Sequence, residues 1–160
     1  MFNRETAIRF LLRGPGTLNS RIARWTVLAL AGTGAGFLVW SAVIHLILWS
    51  EGYKDVKVIG PLFLVQAIVG IVLALDIVAL RWLALLAAGA VTGVATAAGL
   101  LLSAHVGLFG FKETLKVDYA TLSLAVEFTA AFVLLVAALL LALGSSAPVA
   151  SNSSPVPTRT

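Results

Sequence analysis

Cysteine is absent from the 160 residues. That absence excludes disulfide staples, CxxC redox pairs, thiolate metal sites and cysteine nucleophiles. Charge is also scarce, at 11% of residues against about 25% in an ordinary soluble domain. So little charge argues against a water-soluble globular fold. The 60% hydrophobic content argues equally against disorder over most of the length. Strand-like alternation is missing, so the chain does not read as a β-barrel. No GxSxG, HExxH or phosphate-binding loop occurs, and the serines in apolar stretches have no base at a fixed spacing. A hydrolase is therefore unsupported, although membrane catalytic sites need not leave a local motif, and the expected role is non-enzymatic binding. What it has instead is long apolar runs and a mean hydropathy of +1.03.

A membrane-crossing helix needs about 20 mostly apolar residues. Four stretches meet that length, at about 25–49, 60–80, 82–109 and 119–143. The predicted fold is an all-α membrane protein, a four-helix transmembrane bundle over 25–143. A basic segment, 1–24, precedes it, and a disordered tail, 144–160, follows. Between the second and third spans no Gly or Pro marks a break. The marker there is Arg81-Trp82, a charge and an indole that both favour the interface. Gly14-Pro15-Gly16 breaks the N-terminal segment. Before it, Phe2 to Arg13 reads as a weak interfacial helix whose apolar residues do not gather on one face.

The charges separate by type. Arg4, Arg9, Arg13, Arg21 and Arg24 precede the first span, Arg81 follows the second, and Arg159 is in the tail. Only Glu5 opposes them. On the other side, Lys54, Lys57, Lys112 and Lys116 are balanced by Glu51, Asp55, Glu113 and Asp118. The positive-inside rule then predicts cytoplasmic N and C termini in the inner (plasma) membrane, crossed several times. The net charge of +4 is this topology signal rather than a nucleic-acid footprint, although the arginines also suit anionic lipid. The first apolar run exceeds the roughly 7–15 residues of a signal-peptide core, so cleavage is not expected. Asn152-Ser153-Ser154 matches a glycosylation sequon, but the topology puts it in the cytoplasm.

The two halves of the chain echo each other. Arg24-Trp25 recurs as Arg81-Trp82, and Gly32 and Gly36 recur as Gly89 and Gly93, all 57 positions later. Gly52-Tyr53-Lys54-Asp55 opens the first outer loop, and Gly110-Phe111-Lys112-Glu113 opens the second. Each loop then reaches a Lys-Val pair, Lys57-Val58 and Lys116-Val117. The pattern predicts two tandem helical hairpins in a parallel pseudo-repeat. The small-xxx-small pairs Gly32/Gly36 and Gly89/Gly93 predict close packing of the first span on the third, with a homo-oligomer face as the alternative.

Ionisable and polar groups within spans are functional candidates by default. His45, Gln66, His105 and Glu127, one per span, lie about 6–12 Å inside the outer boundary at 1.5 Å per residue. On the fourth span, Ser123, Glu127, Ala130, Ala131, Leu134 and Ala138 form a small or polar stripe. Phe128, Phe132, Leu135 and Leu139 form the bulky opposite face, so Glu127 is predicted to point into the bundle. His45 shares a stripe with Ser41, Leu38 and Gly34, while His105 lies with Leu101, Ala98 and Phe109. This outer layer suits a protonatable Glu that binds a small ligand or a membrane-protein partner. Two imidazoles on different spans also suit haem b, and with a carboxylate they suit a transition metal. A structural subunit of an envelope complex, joined through the glycine faces, is a further reading. Asp76, near the inner end of its span, is predicted to pair with Arg81 or Arg24.

Tyr53, the run Ile59-Gly60-Pro61-Leu62-Phe63-Leu64 with Gln66, and Gly107-Leu108-Phe109-Gly110-Phe111 carry a resemblance. Over about 25–143 the chain resembles the small four-span integral membrane proteins of unknown function found in actinobacteria. That resemblance implies four helices and an inner membrane, and brings no activity or site residues. In size and span count alone it is similar to quinone-linked thiol oxidoreductases of the membrane, from which the lack of cysteine separates it. Small multidrug exporters share four spans and one membrane Glu, but theirs lies in the first span.

Overall fold

The computed structural model describes residues 4–14, 18, 20–113 and 118–144. Among these residues five helices follow one another: α1 (Arg4–Arg13), α2 (Arg21–Glu51), α3 (Ile59–Leu80), α4 (Leu83–His105) and α5 (Asp118–Leu143). A 3-10 turn, Tyr53–Asp55, lies between α2 and α3. Helices α2 to α5 are each long and apolar enough to cross a membrane. Among the described residues there is no strand, only an isolated bridge between Leu108 and Phe111. The predicted tail beyond Gly144, the Asn152 sequon and the Lys116-Val117 pair lie outside the described residues.

Local chemistry sets the breaks. Gly14 ends α1 with φ +74° and donates its N–H to the Phe10 carbonyl at 2.8 Å. With α1 helical, 100° per residue places Ala7, Ile8, Leu11 and Leu12 on one face and Arg9 and Arg13 opposite. This segment is thus more amphipathic than its sequence reading, since only Phe10 and Arg4 depart from the pattern. The α3–α4 break falls at Arg81-Trp82, as predicted. Arg81 turns the chain in the left-handed region (φ 52°) while its N–H still bonds Ile77. Trp82 is extended, and the Arg13 guanidinium lies 5.2 Å above its ring, a cation–π contact that ties α1 to the start of α4.

The helix of the third span, α4, stops at His105, short of the predicted 109. Leu108 and Phe111 exchange two backbone hydrogen bonds of 2.7 and 2.8 Å. Between them Phe109 (φ 53°) and Gly110 (φ 79°) both have positive φ, the signature of a type I′ turn. An unbroken apolar run hid this turn. Helix α3 begins under a different constraint. A Cβ on Gly60 would lie 2.6 Å from the Tyr53 carbonyl oxygen and 2.8 Å from that of Lys54. Backbone cannot yield there, so only glycine lets the 3-10 turn lie on the start of α3.

Helix α2 packs extensively on α3 and α5, and α5 on α4. Contact between α3 and α4 is sparse, and α2 and α4 are nearly diagonal. The buried core centres on Leu38, Ile77, Leu86 and Leu134. The predicted packing of the first span on the third is therefore not observed. Gly32 and Gly36 are exposed, and a Cβ on either would meet nothing within 4 Å, whereas Gly93 faces α5 and Gly89 meets the side chains of Leu134, Ile77 and Leu38 at the centre of the bundle. Gly34, not Gly32, is the α2 glycine that admits a neighbour, and that neighbour is Leu134. The outward face of α3, including Leu62, Val65, Ile68, Val72 and Leu75, is exposed and apolar, as a lipid-facing surface should be.

Candidate functional site

Helix periodicity builds the site in pairs. Ser41 and His45 stand one turn apart on α2, and Ser123 and Glu127 one turn apart on α5. Tight packing of α2 on α5 brings the pairs together. Glu127 is 1% exposed and His45 8%. Ser123 Oγ donates to Glu127 Oε1 at 2.9 Å, and Ser41 Oγ donates to the same oxygen at 3.4 Å. His45 Nδ1 lies 2.9 Å from the Ser41 carbonyl oxygen. A carbonyl only accepts, so Nδ1 carries a hydrogen and Nε2 is left facing Glu127. Nε2 stands 3.7 Å from Oε1.

Everything gathers on one carboxyl oxygen. Oε2 is buried and accepts no hydrogen bond among the described residues. The Thr96 hydroxyl also neighbours the carboxyl. Its hydrogen, however, is directed to the Thr92 and Gly93 carbonyls, at 2.9 and 3.1 Å. Ser103 Oγ is a second buried polar atom without a hydrogen-bond partner among the described residues. Leaving such an atom unsatisfied costs about 1–3 kcal/mol. Both orphans belong to residues that line the same cavity, of about 310 Å³.

The cavity lies among α2, α3, α4 and α5 at the end of the bundle that carries the 52–58 and 106–113 loops. Leu48, Ile59, Leu62, Phe63, Val65, Leu100 and Leu108 give it an apolar wall. Its roof is aromatic. Tyr53 stacks on Phe63 at 4.8 Å between ring centroids, Phe111 meets Tyr53 edge-on at 5.6 Å, and His45 meets Phe63 edge-on at 5.1 Å. The Tyr53 hydroxyl donates to Glu113 Oε2 at 2.6 Å, joining the 52–58 and 106–113 loops. Burial, reinforced by the Glu113 carboxylate, pushes the Tyr53 hydroxyl above its ordinary ionisation range. The Glu113 N–H also bonds the Ser103 carbonyl at 3.2 Å, fixing the second loop to α4.

Of the four residues predicted to share a layer, His45, Gln66 and Glu127 line the cavity and His105 does not. His105 is exposed, with its Nδ1–H donated to the Leu101 carbonyl at 2.8 Å. The buried stripe of α4 is Gly89, Gly93 and Ala97, and His105 falls off it while Ser103 falls into the site. The two imidazoles are thus not assembled across one cavity, as axial haem ligands would be. Among the described residues no group of three or more His, Asp or Glu could hold a metal ion. Asp76 is half-buried, and among the described residues no ion pair joins it to Arg81 or Arg24.

Sequence reasoning missed Ser41 as a partner of Glu127, Ser103 as an inward group, and the roof of Tyr53, Phe63, Phe111 and Glu113. One signal was present. Gly52-Tyr53 and Gly110-Phe111 hold matching places in the two loops, and their rings meet. No family model matches the chain, and no curated protein or solved structure matches it either.

Proposed function

We propose that this chain is a non-enzymatic, multi-pass inner-membrane protein that binds a small ligand in its outer half, with binding linked to a proton on Glu127. One observation carries the reading. A buried carboxyl oxygen, Glu127 Oε2, has no hydrogen-bond partner among the described residues, and Glu127 is one of the residues that line a cavity of about 310 Å³. Oε1 is held by Ser41, Ser123 and His45, so the carboxyl is oriented before anything binds. Preorganisation of this kind raises affinity by lowering the ordering cost.

The arginine asymmetry supports cytoplasmic termini, which put the cavity and its aromatic roof in the outer leaflet. The matching Arg-Trp, glycine and loop residues support two hairpins of common origin. A true twofold arrangement would pack α3 on α4 as closely as α2 on α5. The sparse α3–α4 contact is where the pseudo-symmetry gives way to a site. The orientation of His45 supports the proton linkage. With Nδ1–H held by Ser41, only Nε2 of His45 can exchange a proton with Glu127.

The test is binding of three single-chain probes, dodecylamine, dodecanol and dodecanoate, to the full chain in lipid nanodiscs, read as thermal stabilisation. At least one should stabilise the wild type and not Gly99→Leu, which places a side chain where a Cβ meets nothing. Its affinity should vary with pH in the wild type and not in Glu127→Gln. Equal behaviour of wild type and Gly99→Leu toward all three probes sinks the proposal.

A further inference from the structure

We infer that the ligand is a lipid-soluble amine, and that it reaches Glu127 sideways through the gap between α3 and α4. This inference rests on the ligand-binding reading above and specifies its chemistry. The first argument is charge. Two carboxyl side chains, Glu113 and Glu127, line the cavity, and among the described residues no Lys or Arg does. The titratable groups around Glu127 are His45 from α2, Tyr53 from the 3-10 turn and Glu113 from the loop after α4. Helices α3 and α4 add only uncharged lining residues. An anionic head would meet the Glu127 carboxyl and, among the described residues that line the cavity, no Lys or Arg. An ammonium head would have the Glu127 carboxyl to donate to, whose Oε2 has no hydrogen-bond partner among the described residues. The Tyr53, Phe63 and Phe111 rings add faces that attract a cation.

The second argument is access. Above, the roof is closed by ring contacts and by the 2.6 Å Tyr53–Glu113 hydrogen bond. At the other end, Arg81-Trp82 holds α3 and α4 together as a tight turn. Between these closures the two helices separate. Leu62 and Val65 on α3 and Ala95 on α4 line the cavity and are at the same time exposed. Gly99 widens the gap, because nothing lies within 4 Å of where its Cβ would be. An opening flanked by aliphatic side chains on lipid-facing helices admits an alkyl chain and leaves its tail in the bilayer.

The experiment compares the same probes in the same nanodiscs, with hexadecylamine added and concentrations expressed per lipid. Dodecylamine should bind about tenfold or more tightly than dodecanol, as a charge-assisted bond outweighs a neutral one. Dodecanoate should not bind. Glu127→Gln should bring the amine down to the level of the alcohol, with unchanged far-ultraviolet circular dichroism showing an intact fold. Hexadecylamine should bind as well as dodecylamine, because the extra methylenes stay in lipid. If dodecanol or dodecanoate equals dodecylamine and is still lost in Gly99→Leu, the amine is wrong and the site stands. Rejection of hexadecylamine overturns the side route. Probes that never distinguish wild type from Gly99→Leu overturn the site itself.

Discussion

His45 Nε2 stands 3.7 Å from Glu127 Oε1, and the opposite ring nitrogen is tied to the backbone carbonyl of Ser41. The pair is therefore asymmetric: one imidazole nitrogen is structural and the other is free for proton exchange. Nitrogen NMR of histidine-labelled protein should show the neutral ring of His45 with its hydrogen on Nδ1. The Nε2–H form would break the bond to Ser41 and contradict this geometry. Function should follow the same ranking. Glu127→Gln should weaken ligand binding by about tenfold or more, and Asp76→Asn should change it less, since Asp76 lies outside the cavity lining. A larger effect at Asp76 would refute the assignment.

Leu134 is the knob of the bundle, and Gly34 and Gly89 form its hole. A Cβ on Gly89 would lie 2.7 Å from Leu134 Cδ1, and one on Gly34 would meet the Leu134 side chain too. Gly34→Ala and Gly89→Ala should each destabilise the bundle by about 1–3 kcal/mol, the usual cost of overpacking. Gly32→Ala and Gly36→Ala meet open space and should be neutral or gain up to about 1 kcal/mol of helix propensity. Unfolding in mixed micelles by denaturing detergent measures all four. Equal effects at Gly34 and Gly36 would mean that Leu134 is not seated as described.

The contrast between these glycines shows what the sequence could and could not convey. Apolar length and the Arg-Trp marker located the helices, because bilayer thickness and interfacial preference act on local sequence. The small stripe of α5 pointed Glu127 inward correctly, since Ser123, Ala130, Leu134 and Ala138 are buried and Phe128, Phe132, Leu135 and Leu139 exposed. Matching GxxxG pairs misled, because a motif reports a close approach and not its partner. His105 misled for a related reason. Depth along a helix can be counted, but rotation depends on which neighbour the helix packs against, and α4 turns its glycine stripe to α5. The roof stayed hidden because its rings come from loops whose course is set by Gly60 and the 108–111 turn.

Tyr53 offers a pH-dependent prediction outside the membrane-crossing helices. Burial, followed by the hydrogen bond and charge of Glu113, raises its ionisation above the ordinary value of about 10. The neutral hydroxyl is thus favoured in the folded state. Its contribution to stability should be complete below the unfolded value and lost as pH rises through the folded one. Alkaline ultraviolet titration of wild type minus Tyr53→Phe should show a phenol ionising later than a free tyrosine. Tyr53→Phe should also loosen the roof, seen as faster amide exchange in residues 106–113. An ordinary titration curve would show that the Tyr53–Glu113 bond does not hold in solution.

Phe109 sits at φ 53° and is 68% exposed. A bulky side chain in the left-handed region carries strain of about 1 kcal/mol or more. Exposure leaves little burial to offset it within the protein, so the turn is held by its neighbours. Gly110 takes the second positive φ without strain, and the Leu108–Phe111 hydrogen bonds close the turn. Phe109→Asn should therefore raise stability by about 0.5–1 kcal/mol, because asparagine tolerates this region. Gly110→Ala should lower it by a similar amount, though a Cβ there would touch nothing. Space and conformation are thereby separated in one pair of variants. The turn also delivers Phe111 to the Tyr53 ring, so Gly110→Ala should weaken amine binding while Phe109→Asn leaves it intact. If Phe109→Asn destabilises instead, the Phe109 ring must be gaining more from lipid than its backbone loses, and the loop would be a membrane anchor rather than a strained turn.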